Sequence, residues 1–215
     1  MEQEGVIKYS LVFQAETLPI APHLLAQLNT GRGTCKQLHL IGQETHRYDG
    51  FGYGNISIRS ASSNSEFLIS GTQTGVLEAL LDTDIACVTQ IDTKQNTLCA
   101  KGRTEPSSEA MTHGVLYQLS SNINAIVHVH SPEIWSFSDA LTLANTAHDI
   151  PYGTPEMATA VSSLASSLLA IQGLPFGFVM KGHEDGVVVA GETMQQCTDL
   201  LLTLLENAKA LEART

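Results

Sequence analysis

The chain has 215 residues, with 11 Lys and Arg against 22 Asp and Glu, for a formal net charge of −11. That length suits one domain with a sizeable core, and 43% hydrophobic against 15% charged residues excludes a disordered chain. The acidic balance disfavours nucleic acid and anionic membranes as partners, while also serving plain solubility.

The four cysteines stand far apart with no Cys-x-x-Cys pair, which reads as a reduced, cytoplasmic chain without a disulfide framework. The start, Met1-Glu2-Gln3-Glu4, has no hydrophobic signal core, and no apolar run reaches membrane-spanning length. Residues 6–13 alternate weakly and predict a strand. Pro19 and Pro22 open a helical pattern through Leu24, Leu25 and Leu28; Gly31-Arg32-Gly33 is expected to interrupt it before an apolar periodicity resumes over 36–41. Residues 50–54 hold three glycines and read as a loop. Asn55–Arg59 alternates as a strand with Ile56 and Ile58 on one face, a polar turn follows at 60–65, and 66–70 returns as the second strand of a hairpin. A glycine-bounded loop spans 71–75, and residues 86–91 with the segment around Leu98 predict a strand pair. A helix over 107–119 follows Pro106, with Met111, Val115 and Leu119 on one stripe.

Ile126-Val127-His128-Val129-His130 is a β-branched run. In a strand, residues i and i+2 share a face, so His128 and His130 stand side by side with Val127 and Val129 opposite. A helix over 155–171 starts with Thr154 as N-cap and Pro155 at its first position, ends at Gly173, and buries Val161, Leu164, Ala165 and Leu168. Residues 178–180 and 187–190 read as short buried strands, and 193–211 as a final helix with Cys197, Leu200, Leu201, Leu204, Leu205 and Ala208 inward. This order of elements implies an α/β fold, a mixed sheet flanked by helices in one domain.

Two imidazoles on one strand face are half of a tetrahedral metal site, or simply two hydrogen-bonded strand histidines; their spacing alone decides neither. His183, in a glycine-flanked turn between two buried strands, either reaches a shared cleft or is an exposed turn histidine. Glu109 opens a helix, where the helix dipole favours an acid regardless of function. The same turn offers free N–H groups and the hydroxyls of Ser107 and Ser108, which suit an oxyanion. His113 shares a helix face with Glu109 and either orients it or packs. His23, His39 and His46 read as surface residues, and His148 as an uninformative loop residue.

Taken together, Gly54-Asn55-Ile56-Ser57-x-Arg59, Ile69-Ser70-Gly71-Thr72-Gln73-Thr74-Gly75, Pro106-Ser107-Ser108-Glu109, His128-Val129-His130 and the later histidine turn resemble, in that order, the class II aldolase/adducin family. The resemblance runs from about Leu38 to the C-terminus. It implies a single α/β domain over 1–215, with a mixed, largely antiparallel sheet between helices and residues 1–37 as an N-terminal extension and helix. It implies a metal held by His128, His130 and His183, Zn²⁺ first, with Mn²⁺, Co²⁺ and Fe²⁺ open. Glu109 becomes the catalytic acid/base, and Asn55, Thr74, Gly75, Ser107 and Ser108 the groups around a substrate phosphate. Glu184 and Asp185 stand between His183 and Gly186 where the family has its glycine directly after the histidine. The stretch between His130 and Thr154 is shorter than in fuculose-phosphate aldolase and lacks the part carrying that enzyme's catalytic tyrosine; Tyr152 reads as a different, structural position.

The implied activity is a metal-dependent lyase acting on a small sugar phosphate or related hydroxy-carbonyl compound through an enediolate. Dehydration, decarboxylation or epimerisation at the same site, as in ribulose-phosphate epimerase and methylthioribulose-phosphate dehydratase, is the alternative. A non-catalytic adducin-like interaction module and a binder of sugar phosphates complete the readings. The partner is then a small phosphorylated molecule, with no nucleic acid and no membrane, and the assembly a homo-oligomer, expected to be a tetramer.

Overall fold

The computed structural model describes residues 5–60 and 65–214; the acidic start at 1–4 and the middle of the polar turn at 61–64 lie outside the described residues. In chain order the elements are β1 (Ser10–Ala15), α1 (Pro22–Gln37), β2 (Gly42–Gln43), β3 (Gly52–Tyr53), β4 (Asn55–Arg59), β5 (Phe67–Ser70), β6 (Ile85–Asp92) and β7 (Thr97–Gly102). There follow α2 (Ala110–Leu119), β8 (Ala125–His130), α3 (Pro132–Ser136), β9 (Ala144–Asn145), α4 (Pro155–Gln172), β10 (Phe176–Val179), β11 (Gly186–Gly191) and α5 (Met194–Glu212).

Among the described residues, nine strands form one sheet in the order β1-β7-β6-β5-β4-β8-β11-β10-β9. The outermost pairs, β1 with β7 and β9 with β10, are parallel, and the pairs between them are antiparallel. Strand alternation sends side chains into two separate cores. Ile126, Val188, Ala190, Phe67 and Ile69 meet α2 and α4 on one face. Val127, Val129, Val187, Val189, Ile56 and Ile58 meet α1 and α5 on the other. The result is the single α/β domain that the resemblance implies, a mixed and largely antiparallel sheet between helices.

Local signals account for the later helices. Thr154 caps α4 by accepting the Met157 N–H, Pro155 sits at its first position, and Gly173 closes it at φ 74°. Thr193 caps α5 by accepting the Gln196 N–H. The stripe Cys197, Leu201, Leu204, Leu205 and Ala208 is buried as expected, with Leu200 packed at its edge.

The N-terminal third departs from its sequence reading. The first strand is Ser10–Ala15, several residues later than the expected 6–13, because the pairing register with β7 begins at Ser10 opposite Thr97. Helix α1 runs unbroken through Gly31-Arg32-Gly33. At Gly31 a Cβ would meet Met194 Cγ at 2.5 Å and Ile56 Cδ1 at 3.0 Å, so the glycine serves close packing of α1 on α5 and β4. Tertiary contact here outweighs the intrinsic cost of helical glycine, about 1 kcal/mol. The glycine loop at 50–54 contains the short strand β3, paired with β2. Helix α2 starts at Ala110, three residues after the expected 107, with Glu109 as its N-cap residue.

Candidate functional site

Strand β8 lies between β4 and β11, with Asn55 and Val188 on either side of His128 and Gly186 beside His130. His128 and His130 therefore emerge on the α2 face, both fully buried. The third histidine comes from the β10–β11 hairpin, whose turn is closed by His183 N–H to Met180 O (3.0 Å) and Gly186 N–H to His183 O (3.0 Å). This turn folds back so far that a Cβ on Gly186 would stand 3.2 Å from the His183 side chain. Ring nitrogens of His128, His130 and His183 then lie within 4.8 Å of one another. His183, 4% exposed, is not the exposed turn residue that its local sequence allows.

Glu184 and Asp185 do not pull the ring away. Asp185, at φ 59°, accepts the Tyr48 hydroxyl on Oδ2 at 2.6 Å and the Ser131 N–H on its carbonyl at 2.9 Å. The turn is thereby tied both to the β2–β3 connection and to the end of β8. The Tyr48 ring packs edge-on against His130, centroids 4.6 Å apart, and Arg47 donates to the Tyr48 and Tyr53 hydroxyls at 2.9 and 3.0 Å. On the far side Tyr152 stacks on His183 at 4.4 Å and 18°, so the imidazole is held between Tyr152 and His128. Burial, with the nearby His183 and Arg47 charges, holds His130 well below the ordinary imidazole range, in the neutral form that ligates metals.

Glu109 is 2% exposed. Its Oε2 accepts the Thr112 hydroxyl at 2.9 Å, and its Oε1 lies 3.9 Å from His183 Nδ1. His183 also forms part of the wall of a pocket of about 890 Å³, together with Arg47, Tyr48, Trp135, Tyr152 and Lys181. A separate pocket of about 400 Å³ around Arg59, Phe67 and Tyr117 holds none of the candidate residues. His113 resolves as a core residue: its Nδ1 is 2.7 Å from Ser57 Oγ, which is 2.9 Å from the Tyr117 hydroxyl, and burial pushes its pKa down to about 3. His39 and His46 sit on the surface around Glu44, with side chains 76% and 77% exposed.

Asn55, Thr74, Gly75, Ser107 and Ser108 also come together, lining one small pocket with Gly52, Gly54, Gly71 and Gln73. A Cβ at Gly75 would stand 2.1 Å from Gly42 O, so the wall there is bare backbone. Tyr9 donates to Ser107 O at 2.8 Å and anchors the serine turn. Free space in this pocket is about 10 Å³, room for one water, and Gln73, part of its lining, accepts the Gly52 N–H at 2.9 Å. Asn55 Oδ1 is buried with no hydrogen-bond partner among the described residues.

Tyr48, Tyr152 and Arg32 are the site neighbours that sequence reasoning missed. Tyr48 and Tyr152 lie in irregular segments where no periodicity points to them, and Tyr152, read as a structural position, packs its ring on His183. Arg32 stood inside an expected helix break, and no local pattern marked it.

Comparison with known proteins agrees with the fold. The L-fuculose phosphate aldolase of Methanococcus vannielii is 29% identical over 170 residues, 73% of this chain and 82% of that protein. The crystal structure of L-fuculose-1-phosphate aldolase from Thermus thermophilus superposes with a TM-score of 0.63 at 19% identity, covering 90% of this chain and 95% of the other. A sugar-phosphate aldolase from Thermotoga maritima gives 0.62 at 15% identity, covering 89% and 95%. Residues 41–211, from the residue before β2 to the last but one of α5, match the family described as Class II Aldolase and Adducin N-terminal domain, and the chain belongs to that family.

Proposed function

We propose that this chain is a metal-dependent lyase of aldolase type, acting on a small phosphorylated hydroxy-carbonyl compound. The observation that carries the reading is the convergence of three buried histidines from two distant segments, with Glu109 Oε1 3.9 Å from one of them. An all-imidazole set of three suits Zn²⁺ and leaves a fourth position open, the pattern of catalytic rather than structural sites. Mn²⁺, Co²⁺ and Fe²⁺ are compatible with the same donors. When bound, such a cation supplies Lewis-acid polarisation of a substrate oxygen.

The chain's own groups do the rest. Glu109 takes or returns a proton at the carbon or hydroxyl beside the polarised carbonyl, with Thr112 holding its other oxygen in place. Tyr152 and Tyr48 wall the cluster and exclude water. The phosphate end of the substrate goes to the pocket of Asn55, Thr74, Gly75, Ser107 and Ser108, with the Gln73 side chain swinging aside to admit it. The M. vannielii relative, named as a fuculose phosphate aldolase, supports a sugar phosphate as substrate. A cytoplasmic setting is supported by four cysteines that are all free thiols. A homotetramer rests on the family resemblance, and light scattering measures it.

Metal analysis of protein never exposed to chelator tests the core of this reading. We expect about one divalent ion per chain, zinc predominating, and its loss in His183→Ala with the fold retained by circular dichroism. Wild-type protein that purifies without stoichiometric metal and, after incubation with Zn²⁺, Mn²⁺, Co²⁺ or Fe²⁺, still cleaves, dehydrates or epimerises no sugar phosphate would overturn the enzymatic assignment and favour an interaction module.

A further inference from the structure

Arg32 heads the protein's fully buried side chains by volume, at 1% exposure. Its guanidinium does not end on a carboxylate. Nη2 donates to Thr74 O at 2.7 Å and Gly75 O at 3.3 Å, and Nη1 donates to Leu77 O and, at 3.3 Å, to Glu78 O. Two acids, Glu78 and Asp84, act on the guanidinium only through space, and the Glu78 side chain is 93% exposed and bonded to Lys36 Nζ at 3.0 Å. Carbonyl dipoles thus take the Arg32 Nη1 and Nη2 hydrogen bonds, and no carboxylate pairs directly with its charge. Removing a cation from water costs roughly several kcal/mol unless a counter-charge or excellent geometry offsets it.

The loop that Arg32 grips is the one lining the small pocket. In a planar trans peptide, C=O and the following N–H point in opposite directions. Holding Thr74 C=O toward α1 therefore turns the Gly75 N–H away from α1, and Gly52, another residue of the pocket wall, has its Cβ position 3.4 Å from Gly75 N. Among the described residues, that N–H donates to no protein group. The pocket lining itself contains no Lys, Arg or His.

We propose that Arg32 is a positioning residue for anion binding: it aims the Gly75 amide into the pocket and supplies, from behind one peptide plane, the positive charge that the lining lacks. Lys36, which donates to Leu77 O at 2.7 Å, braces the same loop from the helix surface. This inference rests on the phosphate assignment above and adds where the anion's counter-charge comes from.

The test uses the full-length protein and inorganic phosphate as probe, measured by calorimetry, with metal content assayed in parallel. Wild type is expected to bind. Arg32→Gln, which removes the charge, is expected to bind about tenfold more weakly or worse; Arg32→Lys, which keeps the charge and loses the fork, falls between. Metal content stays unchanged in both. Should Arg32→Gln not fold, Arg32→Lys and the wild-type amide spectrum decide, since phosphate should move the Gly75 amide proton downfield. No phosphate binding by wild type overturns the phosphate assignment itself. Wild-type binding matched by folded variants, or a Gly75 amide unmoved at saturation, overturns the role of Arg32 alone.

Discussion

One buried histidine, His113, and a cluster of three lie on the same side of the sheet, and they behave differently. His113 is enclosed by α2 and β4 and spends its ring on Ser57, which in turn meets Tyr117. His128, His130 and His183 face one another, with centroids 4.8 to 5.1 Å apart, and Glu109 stands beside them. Both groups are desolvated, so burial does not distinguish a ligand from a core residue. Convergence does: a hydroxyl network absorbs one imidazole, whereas three imidazoles from two segments gather at one point.

The largest expected effect separates the two groups by chemistry. Glu109→Gln should cut turnover of a sugar-phosphate substrate by roughly 10²–10⁴ while metal content stays at the wild-type level; undiminished turnover would remove Glu109 from the mechanism. For the core group the readout is stability against pH. His113 titrates at about 3 when folded and near its ordinary value of about 6.5 when unfolded, so below about pH 6.5 the unfolded chain takes up a proton that the native one refuses. Native stability must therefore fall as pH drops from about 6.5 toward 3, by on the order of 4 kcal/mol from this group. Denaturant titrations of wild type and His113→Gln across that range should show the variant losing this slope and keeping its metal; parallel slopes would refute the assignment.

Gly75→Ala comes next. Its Cβ would drive into Gly42 O at 2.1 Å, and overpacking of that kind costs about 1–3 kcal/mol. Thermal denaturation should show the loss, and calorimetry should show weakened phosphate binding with the histidine cluster still metal-loaded. The smallest effect belongs to Tyr48→Phe, which leaves the ring against His130 and removes the hydroxyl from Asp185. Metal affinity should weaken by about tenfold, the lower end for groups that orient ligands. An unchanged affinity in a chelator competition would show that the turn holds His183 without this tie.

Legibility followed range of interaction. The β8 alternation was readable because a strand places His128 and His130 on one face wherever it packs. The caps Thr154 and Thr193 were readable because they act within one helical turn. The continuity of α1 was not, because Gly31 is explained by Met194, far away in sequence. The reach of His183 was implied by the family resemblance alone, since two residues before Gly186 say nothing locally about a hydrogen bond from Tyr48 to Asp185.

By itself the sequence determined the ingredients: an acidic α/β chain, two histidines locked to one strand face, glycine loops free to expose amides, and a carboxylate at a helix start. Periodicity and capping are local and survive any packing. Only the tertiary structure decided that the third imidazole joins the other two, that His113 stays out of the cluster, and that a buried arginine stands behind the glycine loop. Those outcomes depend on contacts between residues far apart in the chain, which no local pattern encodes.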